Sequence, residues 1–439
     1  MTNMSGNKSH LQLGRERDLF SFHEEAGSGL PVFHPDGTVL RNIIIDYLRE
    51  VNQKLGFEEV WTPHLFNADL WKKSGHYSSY KTRMFLFKIG EHEYGLKPMN
   101  CPAHALIFSS KPRSYKDLPI MYSEFATVYR NEQEGELTGL LRVRSITQDD
   151  GHVFLANDQV ESVLRNILLA AITVLETFGL KDLSVNISTK PADAIGDPKM
   201  WEIATKTLIE VASKAGLNYQ IAEGEGAFYG PKIDVHAKDS LGRQWQLSTI
   251  QLDFNLGERL GLKYTDRDGK EKPPLIIHRA LVGSLERFIG ILLEHYKGNL
   301  PLWLAPKQVR VIPVSEKYSE YAKIIYQEIR KSGFRADLDN NSLTLPKRIR
   351  NAVLSGIPYM IVVGSEEETT NTVAVRDRKG RNVKGIMLSD LLSQLKKEDQ
   401  EKLIEVQTVK ILGGNIKNKS KAGMPEPGQR EQTQDQNNE

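Results

Sequence analysis

The chain has 439 residues, and its 58 Lys plus Arg against 56 Asp plus Glu give a formal net charge of +2. At roughly 150 residues per domain this length suits two or three domains, and 39% hydrophobic with 26% charged residues are globular values, which excludes a small disulfide scaffold and bulk disorder. The one cysteine, Cys101, allows no internal disulfide, no apolar run reaches the roughly 18 residues of a membrane span, and the polar N-terminus lacks a secretory core, so a soluble, cytoplasmic protein is expected.

Residues 1–10 are polar and expected to be unordered. A long amphipathic helix is predicted over 38–55, followed by strands over 58–61, 84–89, 120–130 and 140–154. Helix 160–178, strand 183–188 and helix 200–215 come next. Gly56, Gly179 and Gly216 stand just past the ends of the three helices, where a left-handed cap favours glycine. Strands over 232–236, 243–254 and 275–278 and a helix over 282–296 complete this region. The runs are spaced as in an antiparallel sheet more than as a strict βαβ series, so the fold class is α+β, with a first domain over 1–304. Pro301 and Pro306, around the apolar Leu302-Trp303-Leu304, mark a boundary. Beyond it strand 309–314, helix 318–332, strand 335–338, helix 346–355 and strand 359–363 alternate as in a small parallel or mixed sheet, an α/β domain over 305–412. Residues 413–439 are Gly, Asn, Gln, Lys and Pro with almost nothing apolar to bury, and are expected to stay disordered.

Self-contained motifs are scarce: no P-loop, no glycine-rich dinucleotide turn, no His-Glu-x-x-His helix and no paired Cys-x-x-Cys. Taken singly, Cys101 reads as a small buried hydrophobe, and His152 and His278 as hydrogen-bonded core or edge histidines. Their spacing defines no metal site. Arg130, Arg142, Arg144 and Arg287 read as solvated charges, except that the first three lie on or beside strands joined by the Glu- and Gly-containing loop 132–139. A fork of guanidiniums on a sheet suits a polyphosphate held bidentately. Asp149 and Asp150, next to Gln148, suit either the cap of a strand end or a hydrogen bond to an ammonium or hydroxyl of a small substrate.

Several segments together resemble one family. Thr62-Pro63 resembles motif 1 of the class II aminoacyl-tRNA synthetases, residues 125–150 resemble motif 2, and Gly283-Ser284-Leu285-Glu286-Arg287-Phe288 resembles motif 3. Similarity to the threonine-specific branch rests on Lys97-Pro98-Met99-Asn100-Cys101-Pro102, Leu141-Arg142-Val143-Arg144, Thr147-Gln148-Asp149-Asp150-Gly151-His152, residues 224–232, Gln251-Leu252-Asp253-Phe254 and Ile277-His278-Arg279-Ala280. The likeness runs in register from about residue 11 to 410.

The resemblance implies an enzyme that activates threonine with ATP and transfers it to the 3′ end of tRNA(Thr). Cys101, His152 and His278 would then hold one Zn2+ per subunit. Three protein ligands leave a coordination position open for substrate. Asp150 would accept from the threonine hydroxyl, with Met99, Gln148, Tyr229 and Gln251 lining the amino-acid pocket. Arg130 would span carboxylate and α-phosphate and Arg287 the γ-phosphate side. Glu132, Arg142, Gln246 and Thr249 would line the nucleotide, with Mg2+ accompanying ATP. The 305–412 domain would bind the anticodon, Arg376 reading a base, and the 38–55 helix would form a homodimer. Two departures stand out. Ser145-Ile146 replaces the usual Gly-Phe, so weaker ATP affinity is expected. The chain also begins at the catalytic core, so no editing in cis is expected, and clearance of serylated tRNA would fall to a protein acting in trans. A catalytically dead, RNA-binding relative is the competing reading, but such chains lose motif arginines or metal ligands, and here all are present.

Overall fold

A computed structural model describes residues 8–407. The strands of the first region are β1 (Glu58–Glu59), β2 (Ile120–Tyr129), β3 (Ser145–Leu155), β4 (Leu183–Ser188), β5 (Tyr219–Ala222), β6 (Lys232–Lys238), β7 (Gln244–Asp253) and β8 (Leu275–Ala280). Its main helices are α1 (His10–Glu16), α2 (Pro35–Leu55), α3 (Cys101–Ser109), α4 (Val160–Thr177), α5 (Pro198–Lys214) and α6 (Leu285–His295). The eight strands form one sheet in the order β5-β4-β6-β7-β8-β3-β2-β1. The six central strands pair antiparallel, and only the outer pairs β5/β4 and β1/β2 run parallel.

Leu40, Ile44 and Leu48 of α2, Leu164, Ile167 and Leu168 of α4, Leu208 and Val211 of α5 and Phe288 and Leu292 of α6 bury against Val153, Ile187, Val235, Ile250 and Ile277 of the strands. All four helices therefore cover one face of the sheet. The other face keeps the polar members of the same strands, because side chains alternate with a period of two.

The predicted elements mostly stand where expected, and their deviations have local causes. Helix α2 begins at Pro35, three residues early, because proline fits the first turn, where its missing N–H costs nothing. The strand predicted over 140–154 begins only at Ser145: residues Gly139–Leu141 form a single 3-10 turn, and the Arg144 amide donates to the Gly29 carbonyl instead of a ladder partner. The helix predicted from 282 starts at Leu285, capped by the Ser284 hydroxyl. Residues 8–10, expected to be unordered with the rest of 1–10, are a correction. His10 opens α1, is buried, and holds the Glu294 carboxylate through its backbone N–H and Nδ1, both at 2.7 Å. Residues 1–7 and the tail 413–439 lie outside the described residues. Helix α3 and the three-stranded Leu65–Asn67/His92–Leu96/Leu86–Ile89 sheet were not expected as such.

Past the Leu302–Leu304 turn come β9 (Val309–Pro313), α7 (Ser319–Lys331), β10 (Ala336–Leu338), α8 (Leu345–Leu354), β11 (Tyr359–Val363), β12 (Val373–Asp377), β13 (Asn382–Ile386) and α9 (Leu388–Gln400). The order β10-β9-β11-β12-β13 makes a mixed sheet, parallel on the β9 side and antiparallel beyond β11. Leu302 packs into the core of this sheet while Trp303 and Leu304 pack into the first.

The two faces of the large sheet separate the neighbours Asp149 and Asp150. Asp149 points to the helical side, where it accepts from Arg279 Nη1 at 2.7 Å and from the Leu281 amide at 2.8 Å, capping the end of β8. Arg279 also donates to Asn52 at 2.6 Å, and its guanidinium lies 4.5 Å from the Phe57 ring centre. It crosses β3 at Gly151, its register partner, where a Cβ would stand 2.6 Å from Nε. Both members of the ion pair are sealed from water. Asp149→Ala would leave a buried guanidinium uncompensated, so unfolding free energy from urea denaturation is expected to fall by about 3–5 kcal/mol.

Candidate active site

On the open face of the sheet β3 contributes Gln148, Asp150 and His152, one every second residue. His152 lies directly opposite His278 of β8, and His278 opposite Gln251 of β7. Cys101 is brought to them by the first turn of α3, whose helical-cap neighbour Asn100 donates to Asp150 at 2.9 Å. The ligand atoms of Cys101, His152 and His278 lie within 4.8 Å of one another, and all three residues are buried. Nothing in their spacing along the chain foretold this meeting; only the resemblance did.

The triad opens into a cavity of about 480 Å3. Met99, Tyr229 and Gln251 line it beside the triad, with Gln148 and Asp150. Tyr229 donates to Gln251 Oε1, and its ring centre is 5.0 Å from that of His278. The same cavity is lined by Arg130, Glu132, Arg142, Gln246, Thr249 and Arg287. Every residue expected in the pocket thus borders one space. Arg376 is not among the residues lining it and stands in the chain's second sheet, on β12, half-buried.

The cationic groups fall into two kinds. Arg142 is committed to Glu132, donating through Nε at 3.0 Å and Nη2 at 2.7 Å, and Arg83, which sequence reasoning missed, holds the same carboxylate from the other side. Arg130 and Arg287 have no carboxylate partner among the described residues. The Arg130 guanidinium donates to the Pro98 carbonyl at 3.3 Å and faces the Tyr80 ring. Arg287 packs its guanidinium 5.5 Å from the Trp245 ring centre, with its buried Nε unpaired. Two unneutralised guanidiniums in a cavity suit a polyanion. Arg144 is a correction to the arginine fork: it does not line the cavity but pins the loop, donating to the Glu132 and Ser28 carbonyls.

Burial dominates the electrostatics of the triad end. It pushes the Cys101 thiol well above its usual range, with the Asp150 and Asp253 charges adding to the effect, and raises Asp150. It also holds His152 well below its ordinary value, so its imidazole is neutral. One thiol and two imidazoles, buried with their ligand atoms within 4.8 Å of one another, are a donor set that suits zinc. The residues present therefore fit the metal.

Further residues at the site were not among the expected site residues. Lys232 lines the cavity and pairs with Asp234 at 2.7 Å; Asp234 in turn accepts from Gln246 at 2.6 Å and Thr249 at 3.0 Å, fixing these two side chains of β7. His76 is fully buried with Nε2 3.6 Å from Cys101 Sγ, and burial pushes it down to about 4.

Residues 80–296 match the family model described as tRNA synthetase class II core domain (G, H, P, S and T), and residues 308–398 match the one described as anticodon binding domain. Over 405 residues the chain is 49% identical to a threonine–tRNA ligase catalytic subunit from Saccharolobus islandicus, covering 92% of this chain and 74% of that protein. The corresponding protein of Metallosphaera sedula is 48% identical over 406 residues, covering 92% and 75%. The crystal structure titled RNA binding domain of threonyl-tRNA synthetase from Cryptosporidium parvum superposes with a TM-score of 0.86 at 38% identity, over 89% of this chain and 98% of that one.

Proposed function

The chain belongs to the threonine–tRNA ligases, class II aminoacyl-tRNA synthetases that use ATP to join threonine to tRNA, and we propose that the cavity between the Cys101/His152/His278 triad and Arg130/Arg287 is where threonine is activated. The observation that carries this reading is a single cavity lined both by a soft-donor metal triad with a buried carboxylate and by two guanidiniums without a carboxylate partner among the described residues. Cys101, His152 and His278 would hold zinc, which when bound supplies a Lewis acid with an open position for the amino and hydroxyl groups of threonine.

The chain's own residues do the rest. Asp150 accepts from the threonine hydroxyl, while Gln148, Tyr229 and Gln251 orient the amino acid and Met99 borders its side chain. Arg130 reaches from the carboxylate to the α-phosphate, and Arg287 neutralises the γ-phosphate side. Glu132, held by Arg83 and Arg142, lines the adenine end, and Gln246 and Thr249 the ribose end; Mg2+ enters as part of the ATP substrate. No protein nucleophile is needed. Attack of the threonine carboxylate on the α-phosphate is promoted by alignment and by charge already in place.

Valine has threonine's shape without the hydroxyl, so it leaves Asp150 unsatisfied and is strongly rejected, whereas serine lacks only a methyl, worth about 10 to 200-fold. A pocket of this kind leaves residual serylated tRNA for separate hydrolysis, by another protein or another region. Residues 1–304 act in this reading as the catalytic unit and 305–412 as the anticodon-binding unit, and two copies associate through α2 and the neighbouring Trp61, which is 74% exposed. Sedimentation checks the last point.

Amino-acid-dependent ATP–pyrophosphate exchange tests the whole reading. Threonine is expected to be fast, serine slower, valine silent, and zinc removal to abolish exchange. No exchange with any amino acid in the zinc-loaded protein would overturn it. In Arg376→Ala, tRNA charging is expected to drop about tenfold or more with exchange intact; equal loss in both assays would remove Arg376 from anticodon contact.

A further inference from the structure

The two histidines of the triad are held by different partners. A metal-binding imidazole almost always donates its other ring N–H to a group that fixes its tautomer and orientation, most often a carboxylate or carbonyl. His278 follows this rule directly: its Nε2 lies 2.9 Å from Asp253 Oδ2, and Asp253 is itself held by the amides of Asn255 and Leu256 at 2.7 and 2.9 Å. His152 has no carboxylate at hydrogen-bond distance. Asp150 Oδ1 is 4.0 Å from its Nε2, and its Nδ1 is instead 2.9 Å from Nδ1 of His104, on α3.

Two facing ring nitrogens share a single hydrogen, so the position of that hydrogen decides which nitrogen of His152 keeps a lone pair. The groups behind His104 set it. His104 Nε2 is 3.1 Å from Glu124 Oε2, an acceptor, which calls for the hydrogen of His104 on Nε2 and leaves Nδ1 with its lone pair. Glu124 is anchored in turn by the Thr62 amide at 2.7 Å, the Thr62 hydroxyl at 3.0 Å and the Lys97 ammonium at 3.3 Å. The side chains of Lys97, His104 and Glu124 are all sealed from water, so no solvent competes for these bonds. Charge is balanced within the chain by Lys97 and Glu124.

Resting on the reading of Cys101, His152 and His278 as metal ligands, we propose that His104 is the positioning residue of the site. Glu124 keeps the His104 hydrogen on Nε2, Nδ1 of His104 accepts from Nδ1–H of His152, and His152 is left with its Nε2 lone pair free for the metal. The reverse hydrogen bond would load Nε2 of His152 with hydrogen and silence it as a ligand. His104 touches no substrate; it acts through His152.

Zinc affinity of the full-length chain, measured by competition with a chromogenic chelator, tests this independently of activity. In His104→Gln the side-chain carbonyl can accept from His152 while the amide donates to Glu124, so affinity is expected to stay within a few-fold of the unaltered chain. In His104→Leu and in His104→Asn, too short to span both partners, it is expected to weaken by about 10 to 100-fold. Melting temperatures of the metal-free proteins verify folding, and the Asn variant keeps the comparison open if Leu does not fold. Leu and Asn variants that bind zinc as tightly as the unaltered chain, or a Gln variant as weak as they are, would overturn the role of His104. Failure of the unaltered chain to bind zinc would instead overturn the ligand reading beneath it.

Discussion

Asp150→Ala is expected to lower kcat/KM for threonine in ATP–pyrophosphate exchange by about 10 to 150-fold, in line with the loss of a charge-assisted hydrogen bond worth about 1.5–3 kcal/mol. Discrimination against valine should shrink with it. A pocket built to bond a hydroxyl rejects the analogue lacking it by about 10^4 to 10^5, because the buried acceptor is left unsatisfied, and alanine removes that acceptor. The stability of the variant is expected to hold or rise. Asp150 is buried, its close side-chain donor among the described residues is Asn100, and burial raises its pKa, so ionisation of this carboxylate opposes folding. An unchanged threonine-to-valine ratio would show that Asp150 does not read the hydroxyl. Its neighbour Asp149 provides the contrast: there alanine costs stability, because the ion pair with Arg279 is complete in the fold.

Arg130→Ala is expected to reduce the exchange rate at saturating threonine and ATP by about 100 to 1,000-fold, the usual cost of removing one preorganised charge from a developing oxyanion. Arg130→Lys should recover little of it, since an ammonium cannot reproduce the two-pronged geometry of a guanidinium. Arg130 has no carboxylate partner to release, so the change leaves no orphaned charge behind, and the melting temperature should move little. Arg142→Ala would differ, because it strips Glu132 of one of two guanidinium partners and disturbs the site indirectly. A variant at position 130 with full exchange activity would exclude Arg130 from the phosphate.

Much of this arrangement could be read along the chain, for reasons that differ by element. Helices α2, α4 and α5 carry an apolar stripe over four to six turns and stop at Gly56, near Gly179 and near Gly216, so periodicity and caps agree. The alternation Gln148, Asp150, His152 is a strand pattern with one face destined for a pocket. What escaped is equally physical. Helix α3 is short and buried on nearly all sides, with Cys101, Pro102, Ala103, His104 and Ala105 in a row, and so offers no period to detect. Residues 140–144 read as strand because Leu140 and Val143 are buried, but they fold as a loop held by Arg144. The triad, the Asp253 support and the His104–Glu124–Lys97 chain are contacts between remote segments, and spacing says nothing about those. Only similarity over many motifs could stand in for that missing dimension.

The direct opposition of His152 and His278 across β3 and β8 has a consequence for how the protein is made. The two lie about 125 residues apart in the chain, so at roughly 5 to 20 residues per second a ribosome exposes the second about 6 to 25 s after the first. During that interval Cys101 and His152 are present without their third companion. A metal held by this triad would then be captured late in biogenesis, coupled to insertion of β8 between β3 and β7, and a chain stalled before residue 278 lacks the complete triad.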